Sequence, residues 1–140
     1  MKFEPVKPKL EFAELPAGFS YPMSFDAYLE AHPKFEAELD PWGATTDTES
    51  NQRYSERYGL PLVKFAQAWH EDMIACFVIG TGDDPKVMVL NPWAQTLVDD
   101  EWRETGQVLE ELANFDAWLE WARSSELVRD YAEHRVQYGR

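Results

Sequence analysis

Between residues 62 and 90, three apolar runs follow one another with only short, turn-forming links, and no other feature of the chain narrows the fold as far. Leu62 to Trp69 reads LVKFAQAW and alternates in places, with Val63 and Phe65 on one side and Lys64 on the other. Ile74 to Ile79 (IACFVI) is continuously apolar and rich in strand formers, and Val87 to Leu90 (VMVL) repeats that character. The links are His70-Glu71-Asp72 and Gly80-Thr81-Gly82-Asp83-Asp84-Pro85. Both are of hairpin length, and their Gly, Asp and Pro residues suit the tight backbone angles of a turn. Three consecutive antiparallel strands, a β-meander, follow as the economical expectation.

The flanks change to helical spacing. Asn114 is a good helix cap, Asp116 suits a helix N-terminus, and Phe115, Trp118, Leu119 and Ala122 recur at i, i+3, i+4 and i+7. Ser124 or Ser125 breaks and recaps the chain, and Leu127, Val128, Tyr131 and Ala132 form a second amphipathic face. Upstream, Ser24 is expected to cap a short helix carrying Phe25, Tyr28 and Leu29, which Pro33 interrupts. Asp40-Pro41 stops that pattern, and Gly43 to Arg53 reads as a polar loop. Tyr54 and Tyr58 suggest a single helical turn ending at Gly59, with Pro61 beyond it. Residues 93–112 are ambiguous, although Gln107 to Leu109 suits an added strand. Residues 1–10 suit an extended arm or edge strand. The expected fold is α+β: an antiparallel meander sheet with helices packed on one face, one domain over residues 1–140, and a helical extension over 125–140.

Composition supports a packed domain and restricts its partners. Of 140 residues, 44% are apolar and six are Trp, enough for a core and unlike a disordered chain. The net charge of −13 repels nucleic-acid phosphates and anionic membrane and attracts basic proteins. Between Glu71 and Glu120 twelve acids face only Lys86 and Arg103, so most of the excess lies in one stretch. The start of the chain runs the other way, with Lys2, Lys7 and Lys9 against Glu4. Cys76 is the only cysteine, which rules out an intrachain disulfide and argues against a cysteine metal site. No run has the length of a signal or membrane-spanning segment, so the default expectation is the cytoplasm.

Motifs for chemistry are sparse. His70-Glu71-Asp72 gathers three ligand or acid–base types, yet neighbours in a turn tend to point apart. Gly80-Thr81-Gly82 follows a strand, as phosphate loops do, but lacks the Lys-Ser/Thr pair and the helix that hold a phosphate. Ser24, Ser124 and Ser125 are explained by capping, and Cys76 by packing within a strand. The many acid pairs, Asp99-Asp100-Glu101 and Glu110-Glu111 among them, have no specificity for a glycosidase dyad. No catalytic residue, metal ligand or cofactor is expected.

Trp102 stands apart, because an aromatic set within Asp99–Glu104 makes an interface anchor with an acidic rim. The expected partner-binding face comprises Asp83, Asp84, Asp99, Asp100, Glu101, Trp102 and Glu104, forming one continuous acidic patch. Residues 62–94 (LVKFAQAWHEDMIACFVIGTGDDPKVMVLNPWA) and 113–123 (ANFDAWLEWAR) resemble the SUKH superfamily, which includes cell-wall-assembly-regulator-like proteins and many toxin-immunity proteins. The likeness is carried by Lys64-Phe65-Ala66, by Ile74-Ala75-Cys76-Phe77, by the glycine and aspartate turn, and by the helix from Phe115 to Leu119. The turn here is GTGDD, where the family has a longer glycine run. The resemblance implies an antiparallel sheet flanked by helices, no catalytic centre, and a protein-binding role, often neutralising a basic nuclease-type toxin. A housekeeping regulatory or scaffold domain of the same fold is the alternative, and an enzyme using His70, Glu71 and Asp72 is the third reading.

Overall fold

The computed structural model describes residues 8–33, 36–68, 71–130 and 133. After a 3₁₀ turn at Phe12–Glu14 come helices α1 (Met23–Ala31) and α2 (Glu36–Leu39), strand β1 (Trp42–Ala44) and helix α3 (Thr48–Tyr58). Strands β2 (Leu62–Ala68), β3 (Met73–Val78), β4 (Val87–Asn91), β5 (Gln95–Val98), β6 (Glu101–Glu104) and β7 (Gln107–Leu112) follow, and then helix α4 (Phe115–Ser124). The fold is α+β, with a five-stranded sheet of order β1-β2-β3-β4-β7, antiparallel throughout, and a separate two-stranded ribbon of β5 and β6.

The three expected strands are present with ends within a residue of expectation, and the additional strand near Gln107 runs on to Leu112. Their links behave as turns. Thr81 Oγ1 donates to Val78 O at 2.7 Å and accepts from Lys86 N at 2.9 Å, so a single hydroxyl closes the β3–β4 connection. Asn114 Oδ1 accepts from Ala117 N at 2.9 Å and caps α4, whose Phe115, Trp118, Leu119 and Ala122 are all buried. Ser125 ends α4; its Oγ accepts from Val128 N as the helical stretch 126–130 begins. Val128 is buried and Leu127 packs beside it, whereas Tyr131, Ala132 and residues 1–7 of the expected arm over residues 1–10 lie outside the described residues, and Leu10 at its end is buried in the core.

Strand alternation sorts the core into two layers. Ala75 and Phe77 of β3, Val87 and Val89 of β4, and Val63 of β2 join Phe25, Tyr28, Phe115 and Trp118 from α1 and α4. Ile74, Cys76, Val78, Met88, Leu90 and Leu62 face the other way and meet Tyr54 of α3, with Tyr58 at the margin. The expectation of helices on one face therefore holds for α1 and α4 but not for α3, which covers the opposite face. Phe65 is the extra residue of a bulge in β2, where the register shifts between Lys64 and Ala66. The bulge aims its ring into the aromatic layer, stacked on Phe77 at 4.4 Å and edge-on to Trp118 at 4.9 Å.

Two further expectations are corrected. Residues 43–53 are not a loop: they contribute β1 and most of α3. Asp47 caps α3, accepting from Ser50 N at 2.7 Å, and Gly59 at φ 64 closes it, with its N–H bonded to Ser55 O. The buried side of α3 is polar and docks by hydrogen bonds. Asn51 Oδ1 accepts from Lys64 N at 2.9 Å, Asn51 Nδ2 donates to Thr46 Oγ1 at 3.2 Å, and Ser55 Oγ accepts from Leu62 N at 2.9 Å. Ser24 does not cap α1. Pro22 occupies that position and Ser24 lies in the first turn, with a buried hydroxyl that has no hydrogen-bond partner among the described residues. Proline suits the position, since it has no N–H to leave unsatisfied at a helix start.

Candidate functional site

The most exposed apolar side chains of the sheet region lie on one element, the β5–β6 ribbon. It continues the β4–β7 pair beyond the edge of the sheet. Asn91 pairs with Gln107, Ala94 O then accepts from Thr105 N and Gly106 N at 2.9 and 3.0 Å, and Gln95 pairs with Glu104. Asn91 Oδ1 accepts from Trp93 N and turns the chain into the ribbon. Gly106 is required at its base. It adopts φ 76, and a Cβ there would stand 2.6 Å from the Tyr58 hydroxyl, which itself accepts from Gln107 N at 3.1 Å and donates to Gln107 O at 3.2 Å.

At the tip, Asp99 and Asp100 form a two-residue turn with φ of 51 and 64. Both angles are left-handed, as a hairpin matching the strand twist demands, and aspartate tolerates them better than most side chains. These two acids thus have a structural role besides charge. The double substitution Asp99→Asn with Asp100→Gly is expected to stabilise the protein by a few tenths to about 1 kcal/mol, because Asn-Gly adopts these angles with less strain. Urea unfolding measures the gain, and slower exchange of the ribbon amides locates it. If the substituted acids carry binding, affinity falls while stability rises.

The pleat places Gln95, Leu97, Trp102 and Glu104 on one face of the ribbon, with Leu97 directly opposite Trp102. Trp102 is 68% exposed and Leu97 53%. Glu104 Oε1 meets Arg57 Nη1 of α3 at 2.7 Å, so this face turns toward α3. Arg57 also donates to Pro92 O and ties the helix to the ribbon's base. Between them lies an open cleft of about 410 Å³, walled by Arg53, Tyr54, Arg57, Pro92, Trp93 and Glu104. The result is a concave corner with an aromatic floor and a projecting apolar arm.

Of the seven residues expected to bind a partner, five sit on this ribbon: Asp99, Asp100, Glu101, Trp102 and Glu104. Asp83 and Asp84 do not join them. They lie in the β3–β4 connection, where Asp84 accepts from Asn114 Nδ2 at 2.9 Å, at the opposite end of β4 and about 14 Å along the strand. Within the ribbon, Glu101 points with Arg103 to the far face, the two 3.6 Å apart. A single continuous acidic patch is therefore not formed by these seven. Several acids are partly neutralised, Glu104 by Arg57 and Glu111 by Lys86, whose Nζ lies 2.7 Å from Glu111 Oε1. Sequence reasoning missed Leu97 and Trp93; strict alternation across a two-aspartate turn was the available signal for Leu97.

Several described groups capable of chemistry lie in packed positions away from this corner. Cys76 is fully buried, and burial pushes its thiol up to about 12. Lys64, paired across the ladder with Cys76, is buried under α3, and desolvation pulls its ammonium below the usual lysine value while Asp47 opposes the shift. His32, Glu38, Tyr28 and Arg123 cluster where α1, α2 and α4 meet. Arg123 hydrogen-bonds Glu38 and holds its carboxyl below the usual carboxylate range, Tyr28 Oη donates to Glu38, and the Tyr28 ring stacks on His32 at 4.6 Å. The partners satisfy one another, as in a clamp between helices. His70 lies outside the described residues, and Asp72 occupies the β2–β3 turn at φ 53. Among the described residues no three His, Cys, Asp or Glu side chains converge to hold a metal ion, and no helix is long and apolar enough to cross a membrane.

Comparison with protein-family models, with curated proteins and with solved structures found no match.

Proposed function

We propose that this chain is a non-catalytic protein-binding module whose β5–β6 ribbon, with the corner it makes against α3, docks onto a basic protein. The observation carrying this reading is the pairing of two large, exposed apolar side chains, Leu97 and Trp102, on a ribbon that no layer among the described residues covers. Interface anchors have this character, being aromatic, pre-positioned on a strand and rimmed by charge. Glu104, Asp99 and Asp100 supply the acidic rim, and the net charge of −13 speeds encounter with a cationic surface. In its narrower form, supported by the resemblance of residues 62–94 and 113–123 to the SUKH superfamily, the partner is a basic nuclease-type toxin and the module is its immunity protein.

A specific observation favours a second reading. The pairing of Glu104 with Arg57 and Glu101 with Arg103 reduces the free charge on the ribbon. A housekeeping scaffold with a less basic partner would use the same apolar arm with little dependence on salt.

One experiment separates these. The double variant Leu97→Ser/Trp102→Ala should keep its unfolding midpoint, because both side chains are exposed and such surface changes stay within about 0.5 kcal/mol. The partner that copurifies with wild type should bind the variant about 30-fold more weakly, the loss expected of an aromatic hot spot. For the immunity form, the partner is a nuclease inhibited by wild type and not by the variant, and affinity falls steeply with NaCl. Affinity flat in NaCl with a non-nuclease partner supports the scaffold. Equal binding by wild type and variant refutes the ribbon as the docking element.

A further inference from the structure

We infer that β7 is an acceptor edge at which the partner adds a strand of its own, a basic, extended segment running along Val108 to Leu112. The inference rests on the protein-binding reading above and adds the mode of recognition and the chemistry of the segment recognised.

Among the described residues the sheet ends at β7. Its order is β1-β2-β3-β4-β7, so one side of β7 pairs with β4 and the other carries the backbone N–H and C=O groups that β4 does not use. Tyr58 occupies both backbone groups of Gln107, and beyond it no described residue pairs with the outer side. Exposed edges template strand pairing unless something blunts them; β7 carries a bulge at Leu109, where the register shifts between Val89 and Leu90, so its regular stretch is Glu110 to Leu112. The other edge, β1, has only three residues. Here the side chains point to an occupant. Val108 and Leu109 are 46% and 39% exposed, an apolar step at the start of the edge. Glu110 follows on the sheet face that carries α1 and α4, opposite Val89, and forms no ion pair with a described residue. Glu111, on the α3 face, pairs with Lys86.

A second copy of the chain fits badly. Antiparallel self-pairing of β7 would bring two Glu110-Glu111 pairs into one short ladder, between chains that each carry −13. A segment with Lys or Arg facing Glu110 and an apolar residue facing Val108 meets both features at once. The ribbon lies at the start of β7, so one partner segment can pair along the edge while the partner's body meets Trp102.

The probe is a synthetic peptide, Lys-Val-Lys-Thr-Lys-Val, with end caps, titrated into the isotopically labelled full chain. Strand addition predicts amide shifts confined to residues 107–112 and exchange of the outward-facing amides within residues 108–112 slowed about 10-fold at saturation. An analogue N-methylated at alternate residues keeps every side chain but loses ladder donors, and should bind at least about 10-fold more weakly. Glu110→Gln should weaken the parent peptide a few-fold. Equal binding of the N-methylated analogue, or shifts centred on Trp102, overturns the inference. So does a concentration-dependent dimer that protects the same amides, which assigns the edge to a second copy. Protection in the free monomer that disappears on deleting residues 1–7 overturns it too, assigning the edge to the chain's own basic arm. The Leu97→Ser/Trp102→Ala variant should bind the peptide normally. Loss of partner capture by that variant without peptide protection at β7 therefore sinks strand addition alone, and the converse pattern sinks the ribbon reading alone.

Discussion

Substituting Cys76 with Ala should remove about 3 kcal/mol of the stability that the wild-type protein loses between pH about 8 and about 11. Cys76 is fully buried, and its thiol is raised from an ordinary value of 9.0 to about 12, chiefly by burial, with the Lys64 ammonium pulling slightly the other way. In the unfolded chain the thiol ionises above its ordinary value; in the fold it stays protonated until about 12. The native state therefore binds the extra proton across that window. The stabilisation is complete below the unfolded value and is lost as pH climbs through the folded one. Tyr21 and Tyr28, raised to about 12 by burial, add to the alkaline loss in both proteins. Lys64 acts oppositely, since its lowered value means that its burial penalty fades as pH rises toward the ordinary lysine value. Urea unfolding of both proteins at the two pH values isolates the thiol, because the cost of the missing sulfur is present at each and cancels. Parallel pH dependences would show that the thiol is not sealed from solvent.

Phe65→Ala is expected to destabilise the fold by about 3–5 kcal/mol. The ring has no exposure, stacks on Phe77 and meets Phe25, Phe115 and Trp118 edge-on, at centroid distances of 4.4, 5.5, 5.6 and 4.9 Å. Its removal leaves a cavity between the sheet and two helices, which the backbone at the bulge is too constrained to close. Against a total of about 5–15 kcal/mol for a domain, such a loss leaves a marginal protein. Phe12→Ala is the control. Phe12 is 91% exposed, and its truncation should shift the urea midpoint by less than about 0.5 kcal/mol equivalent. Similar midpoints for the two variants would contradict the aromatic layer described here.

The two substitutions probe opposite faces of the sheet, and the faces differed in how far the sequence disclosed them. The Phe25, Phe65, Phe77, Phe115 and Trp118 layer was legible because its members recur at strand and helix periods, and because Asn114 marks the start of α4. The α3 face was not. Its helix buries Ser50, Asn51 and Tyr54 and is anchored through Asn51 and Ser55 to the backbone of β2, so its inner side has no apolar stripe to read. Lys64 lies on the side of β2 opposite Val63 and Phe65, as its place between them indicates, but no local pattern shows that α3 closes over it.

The candidate site followed the same division. Trp102 and the acids around it stood out by composition, and the Asp99-Asp100 turn by residue type. Which acids share a surface did not. Asp83 and Asp84 are near the ribbon residues in sequence but lie at the other end of β4, because a hairpin returns the chain to where it began.

By itself the sequence determined the meander of β2, β3 and β4, the capped helix α4 and the surplus of negative charge, all of which depend on patterns spanning a few consecutive residues. Only the tertiary structure decided that α3 covers the second face, that Leu97 and Trp102 meet exposed on one face of the ribbon, and that Arg57 and Lys86 offset particular glutamates. Those outcomes depend on contacts between residues far apart along the chain, such as Arg57 with Glu104 and Tyr58 with Gln107. No local periodicity encodes them, because each is set by how whole elements pack.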